Sequence, residues 1–129
     1  MKYLRKKGEV TFDAMHGFDI GVVFKREEAE KSEVIFERVP PGAKFPANRH
    51  PDIGQFYIIF AGKAVITVGD ETFETGPGDT VLIPRNISHF LENPFSETVE
   101  YFCIDIFPEG PLPGHETWDN HWRWVKENL

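Results

Sequence analysis

Residues 48 to 55 read Asn-Arg-His-Pro-Asp-Ile-Gly-Gln. Asn48 and His50 are two apart, so on an extended chain their side chains point the same way. Gln55 opens the run QFYIIFAG, whose β-branched and aromatic residues favour a strand. Three side chains with lone pairs to give therefore stand at the entrance to an apolar strand. Either they are ligands or they are polar loop residues. As donors, imidazole nitrogen and amide oxygen suit a borderline first-row divalent ion. Asp105 is the other candidate for chemistry here. Asp105 lies in YFCIDIF, an otherwise apolar segment. A desolvated carboxyl there is pushed up in pKa, and one beside a metal is pulled down. Either state serves a general acid or base. The plainer alternative is a carboxylate hydrogen-bonded to Tyr57, Tyr101 or a backbone N–H.

The elements that must carry these residues are short. EVTFD, IGVVFK, SEVIFERV, QFYIIFAG, KAVITVGD, ETFETG, DTVLIP, HFLEN and ETVEYFCIDIF read as strands. PPG, GD, GPGD, NPFS and PEGPLPG between them carry turn chemistry. Many short strands so punctuated predict a sandwich or small barrel. KREEAEKSE reads as a solvated loop or short helical turn, and KYLRKK as a solvated, frayed end. The helix candidate is the tail, 115–129, where Trp118, Trp122, Val125 and Leu129 line up on one face. Two readings follow for it: a ligand platform, or a helix docked on the barrel wall or a partner chain.

Strand alternation places Gln55, Tyr57 and Ile59 on one face of their strand and Phe56, Ile58 and Phe60 on the other. Tyr101, Cys103, Asp105 and Phe107 likewise alternate with apolar neighbours. Both faces are largely apolar, which a sheet with one wet face would not show. The face opposite Gln55 is therefore expected to be covered by a second sheet, the tail or another subunit, and a homodimer with Phe56, Ile58 and Phe60 near the contact is the expectation. The 129 residues, 40% of them hydrophobic, suit one domain with a core. A formal charge of −7 argues against a nucleic-acid partner. No apolar run is long enough to span a bilayer, and the single Cys103 forms no internal disulfide. The expectation is a soluble, cytoplasmic protein with no membrane partner.

Two spaced blocks go further. Gly42, Asn48, His50, Gln55 and Gly62 form the first, over 42–62, and Gly78, Pro84, His89 and Asn93 the second, over 78–93. This resembles the two signature motifs of the cupin superfamily. Asn48 stands where the first histidine is usual, Gln55 where many cupins have Glu, and Asn86 where a glycine is usual. The resemblance implies an all-β, double-stranded β-helix (jelly-roll) fold over 1–129, with a short C-terminal helix. It also implies that Asn48, His50, Gln55 and His89 converge in the barrel mouth on one divalent ion, Zn²⁺, Mn²⁺, Fe²⁺ or Ni²⁺. Such a set leaves a position open for water or substrate. Asn48 binds through its oxygen, through a water, or not at all. All four donors are neutral, which favours an anionic substrate. By alternation the pocket lining would be Tyr57, Ile59, Leu91, Tyr101, Cys103 and Phe107.

Within the superfamily, the set is similar to the KdgF-type cupins that open unsaturated uronates. Their second block is similar to GDTVLIPRNISH, and their late Asp-x-Phe corresponds to Asp105 and Phe107, though the arginine that follows in them is missing here. The resemblance implies a metal-dependent isomerase, tautomerase or lyase acting on a small sugar acid or keto acid, with Asp105 as proton shuttle. An iron-dependent dioxygenase and a metal-free ligand- or sugar-binding cupin are the alternatives. Arg49 and Arg85 flank the motifs and read as surface residues. His16, His115 and His121 match no motif and read as loop or tail residues, with His115 a candidate for a rim.

Overall fold

A computed structural model of the protein describes residues 3–129. Nine strands precede one helix: β1 Asp13–Met15, β2 Phe18–Phe24, β3 Ser32–Val39, β4 Gly54–Ala61, β5 Ala64–Val68, β6 Glu71–Thr75, β7 Thr80–Ile83, β8 His89–Glu92, β9 Val99–Ile106 and α1 Trp118–Asn128. They form a six-stranded sheet, in the order β1-β2-β3-β9-β4-β7, and a three-stranded sheet, β6-β5-β8. This is the expected jelly-roll arrangement. The apolar inner faces meet in a core that includes Ile35, Val39, Ile59, Ala64, Ile66, Ile83, Leu91 and Val99.

Segment EVTFD departs from expectation. Val10 to Phe12 cross over Gly21, where an added Cβ would lie 2.5 Å from Val10 Cγ1 and 3.0 Å from the Thr11 carbonyl. The strand proper begins at Asp13, the last residue of that segment, and turns back through His16 (φ 52°) and Gly17 (φ 82°). A two-residue hairpin with both central φ positive matches the twist of its strands, but His-Gly lacks the usual Asn-Gly signal. KYLRKK is also less frayed than expected. Arg5 pairs with Glu28 at 3.1 Å and lies over the Phe24 ring, while Lys7–Glu9 forms a 3-10 turn. Met1 and Lys2 lie outside the described residues.

The two motif blocks zip together. Gly42 N–H donates to the Asn93 carbonyl at 2.8 Å, Lys44 bridges Glu92, and Asn48 bridges His89. Gly78 N–H donates to the Ile59 carbonyl, and Asn86, at φ 65°, donates to the His50 carbonyl. Asparagine tolerates this left-handed backbone, so the turn survives without glycine. Gly62 has no such freedom. Its φ is 73°, and a Cβ there would lie 2.4 Å from the Thr98 carbonyl oxygen and 2.9 Å from Val99 Cα. Gly62→Ala should therefore lose about 2–4 kcal/mol, read as a lowered urea midpoint at unchanged m.

The tail helix starts later than the sequence implied. Thr117 caps it, its side chain accepting from Asn120 N–H, and the residues before it form turns. Trp118 and Val125 are buried on the barrel, whereas Leu129 is exposed despite sharing their face. Among the described residues no helix is long and apolar enough to cross a membrane.

Candidate functional site

The two inner faces and α1 enclose a cavity of about 290 Å³, at the lower end of small-molecule pockets. Asn48 and His89 face each other in an antiparallel bridge, with N–H···O distances of 3.1 and 2.9 Å. Their side chains consequently rise side by side. The His50 ring stands 5.3 Å from that of His89, centroid to centroid. His89 Nδ1 lies 2.9 Å from the Ile87 carbonyl, which can only accept. The proton is therefore on Nδ1, and the Nε2 lone pair of the neutral ring is free. Burial, the leading cause, holds both imidazoles below their ordinary pKa, so both are neutral at pH 7.

Gln55 reaches the same cavity from the opposite sheet. It is paired in register with Asp105 of β9, and its Nε2 donates to Asp105 Oδ1 at 2.9 Å. The Cys103 thiol donates to the same oxygen at 3.3 Å. These contacts orient the amide and leave Gln55 Oε1 buried without a hydrogen-bond partner. Among the described residues no group of three or more His, Cys, Asp or Glu is placed to hold a metal. A metal site here has to draw on an amide. Two neutral imidazoles and an orphaned amide oxygen provide such a donor set, with Asn48 beside it.

Behind Asp105 lies a charge cluster where the sequence indicated a solvated loop. Arg26 and Glu33, both within KREEAEKSE, are 4% and 0% exposed. The guanidinium holds the Glu33 carboxyl in two bonds of 2.8 and 3.0 Å, and its third arm donates to the His115 carbonyl at 2.9 Å. Its flat face covers Phe107. Glu33 pairs in register with Asp105. Burial first, and the neighbouring Asp105 next, push Glu33 up to about 9. Charge runs read as solvated because a linear pattern cannot show that the turn folds its ends back into the barrel.

Sequence reasoning also missed Glu37. It lines the cavity and accepts a hydrogen bond from the Tyr101 hydroxyl. Burial is the main cause that pushes its carboxyl up to about 7. The one available signal was the alternation Glu33-Ile35-Glu37 along β3, which puts both acids on the face of Ile35.

The tail helix closes the mouth. Trp118 and Trp122 stack at 5.3 Å between centroids, and Trp122 Nε1 donates to Asp13 Oδ2 at 2.8 Å. His115 and His121, expected to be rim and tail residues, both line the cavity, their Nδ1 atoms 3.1 Å apart. Burial, then Arg26, then His115 push His121 down to about 3. The unfolded chain therefore binds this proton and the folded chain does not between pH 6.5 and about 3. Stability from this group is full above pH 6.5 and falls as the pH drops to about 3. His121→Gln should flatten the acid limb of a plot of unfolding free energy against pH.

Of the expected lining, Tyr57, Leu91 and Tyr101 face the cavity. Ile59, Cys103 and Phe107 do not line it; all three are fully buried in the packing. Alternation gives a side chain's face but not its height in the barrel. Ile59 packs within the core, Cys103 lies behind Gln55 and Asp105, and Phe107 sits beneath Arg26. Asp105 bonds Gln55 and Cys103 rather than either tyrosine. Arg85 pairs with Glu109 at 3.7 Å on the surface, while exposed Arg49 edges the mouth. His16 is an exposed residue whose Nε2 lies 2.9 Å from the Leu129 carbonyl oxygen.

A family model described as "Cupin domain" matches residues 35–105. The chain belongs to the cupin family. The match begins on β3, at Ile35, and ends on Asp105, so it spans both motif blocks. This cupin is 27% identical over 106 residues, 82% of its own chain and 79% of the other, to an uncharacterized protein of Methanocaldococcus jannaschii. It is 39% identical over 66 residues to a mannose-1-phosphate guanylyltransferase of Salmonella muenchen; that match spans 51% of this chain but only 14% of the enzyme. Among solved structures, a predicted oxalate decarboxylase from Thermotoga maritima superposes with a TM-score of 0.75 at 18% identity, over 81% of this chain and 98% of that one. KdgF from Halomonas sp. does so at 0.71 and 14% identity, over 81% and 94%. At these identities the likeness is one of fold.

Proposed function

We propose that this cupin is a metal-dependent enzyme acting on a small sugar acid or keto acid by isomerisation, tautomerisation or elimination. The observation that carries the reading is the partnerless, buried Oε1 of Gln55, which shares a cavity with two neutral imidazoles. His50, Gln55 and His89 would hold a divalent ion. When bound, the ion supplies a charge that polarises a carbonyl or enol oxygen. The chain's own residues do the rest. The neutral donors leave the ion's charge for the substrate carboxylate to balance. Asp105 Oδ1 is occupied by Gln55 and Cys103, so Oδ2 holds or moves the proton. Gln55 and Cys103 hold that carboxyl in place, Glu33 stands beside it across β3 and β9, and the tryptophans of α1 would keep water out. The partial match to a mannose-1-phosphate guanylyltransferase supports a sugar-derived ligand.

The test is elemental analysis of protein grown in medium supplemented with zinc, manganese, iron and nickel, followed by a screen of unsaturated uronates and short keto acids. About one ion per chain is expected, with activity lost in both His50→Ala and Asp105→Ala. Metal far below one per chain would overturn the reading in favour of a metal-free binding module, the alternative that Asn48 in place of histidine favours.

We also propose that a second copy of the chain covers the outer face of β4 and β9. Phe56 and Phe60 there are 38% and 39% exposed, beside Phe102, Ile106 and Leu82. Phe36, Phe60 and Phe102 form one ring cluster. Phe56, Ile58 and Phe60 carry no charge, so two copies can appose without like-charge repulsion. Light scattering at micromolar concentration should give twice the chain mass, shifted to one chain mass by Phe60→Lys. A single-chain mass for the unaltered protein would overturn this.

A further inference from the structure

The cavity has a second polar end that the proposed reaction does not use. Glu37 and Tyr101 face each other across β3 and β9, as Glu33 and Asp105 do four residues further along. At about 3.3 Å per residue the two pairs start roughly 13 Å apart along the strands. Between them the lining is apolar or aromatic, with Ile35 and Tyr57. Across β2 the partner of Glu37 is Ile20. Among the described residues, no lysine or arginine pairs with Glu37. Its carboxyl makes one side-chain hydrogen bond among the described residues, the one that it accepts from Tyr101. A carboxylate has about four acceptor positions, so the bond from Tyr101 leaves acceptor capacity on a residue that lines the cavity. An apolar pocket that keeps an acid in its wall is complementary to a donor on whatever fills it.

We propose that Glu37, backed by Tyr101, is a ligand-contacting, specificity-determining residue that selects acids carrying a hydroxyl several atoms from their carboxylate. This rests on the reading that the His50–Gln55–His89 end takes the carboxylate. The raised pKa of Glu37 agrees with an acceptor that has too few donors of its own.

Three six-carbon acids test it by calorimetry on the protein as purified: gluconate, hexanoate and 6-aminohexanoate. The unaltered protein should bind gluconate about tenfold or more tighter than the other two, the margin of one hydrogen bond to a charged acceptor. Glu37→Gln should bring gluconate within about threefold of hexanoate and leave hexanoate unchanged. Tyr101→Phe should narrow the margin partly. A misfolded variant would weaken both acids together. Equal affinities, a preference for 6-aminohexanoate, no binding of any acid, or a margin that survives Glu37→Gln would overturn the proposal. His50→Ala separates the two readings. It should weaken all three acids alike; unchanged affinities there would remove the carboxylate end while leaving a Glu37-dependent margin standing.

Discussion

Arg26→Met should destabilise the protein by about 3–5 kcal/mol, more than any other single change considered. Among the described residues, the guanidinium is the one cation bonded within a cluster that holds two carboxyls, Glu33 and Asp105. Burial and the neighbouring Asp105 push the Glu33 carboxyl up, while the guanidinium pulls it down, so Arg26 is what favours its charged form. Removing Arg26 leaves the buried Glu33 carboxyl without its bonding partner. It also uncovers Phe107 and frees the His115 carbonyl, which anchors the approach to α1. The pH dependence has a definite sign. Glu33 titrates near 4.5 when unfolded and near 9 when folded. The folded state thus binds the extra proton in that window, and stability from this group is full below pH 4.5 and lost as pH rises towards 9. Arg26 lowers Glu33, so without it the folded carboxyl keeps its proton to higher pH, and the deficit of Arg26→Met should grow between pH 8 and pH 10 in paired urea melts. The double variant Arg26→Met, Glu33→Leu should recover much of it, because two apolar side chains leave one fewer buried carboxyl to compensate. A deficit independent of pH would argue that packing on Phe107, not charge, is what Arg26 supplies.

Asn48→His should tighten zinc binding at least tenfold, about 1.4 kcal/mol. The bridge between Asn48 and His89 puts their side chains on one face, and the His50 ring is 5.3 Å from that of His89. A third imidazole at position 48 would therefore rise beside the other two. Imidazole is a stronger donor to a first-row ion than an amide oxygen. Competition against a chromophoric chelator reads the change directly, and linkage gives a second readout. At free zinc a hundredfold above Kd, binding adds about 2.7 kcal/mol to unfolding. Asn48→Ala should move affinity less than threefold, and His89→Ala should lose a hundredfold or more. If Asn48→His changes nothing, the side chain at 48 points away from the cluster and the site is not of this kind.

The local level was legible. Period-two alternation and turn residues located the strands from β2 to β9, and the motif spacing that includes Gly42, Gly62, Gly78 and Pro84 resembles the cupin pattern, which implied the jelly roll. Asn86 could be placed in a left-handed turn because its side chain tolerates that backbone. The same alternation correctly grouped Gln55, Tyr57 and Ile59, and separately Tyr101, Cys103 and Asp105, as inward-facing. These are properties of neighbouring residues, and a chain carries them wherever it folds. Tertiary structure alone decided depth and partnership. Ile59 and Phe107 share a face with cavity residues yet lie beside the space and not in it. The most buried ion pair, Arg26 with Glu33, comes from a run that reads as solvated charge. His121 lines the cavity because α1 folds over the mouth, and Glu37 matters because β9 brings Tyr101 opposite it. Each of these contacts joins residues distant along the chain, and no local periodicity encodes how far a side chain will sit from one presented by another strand.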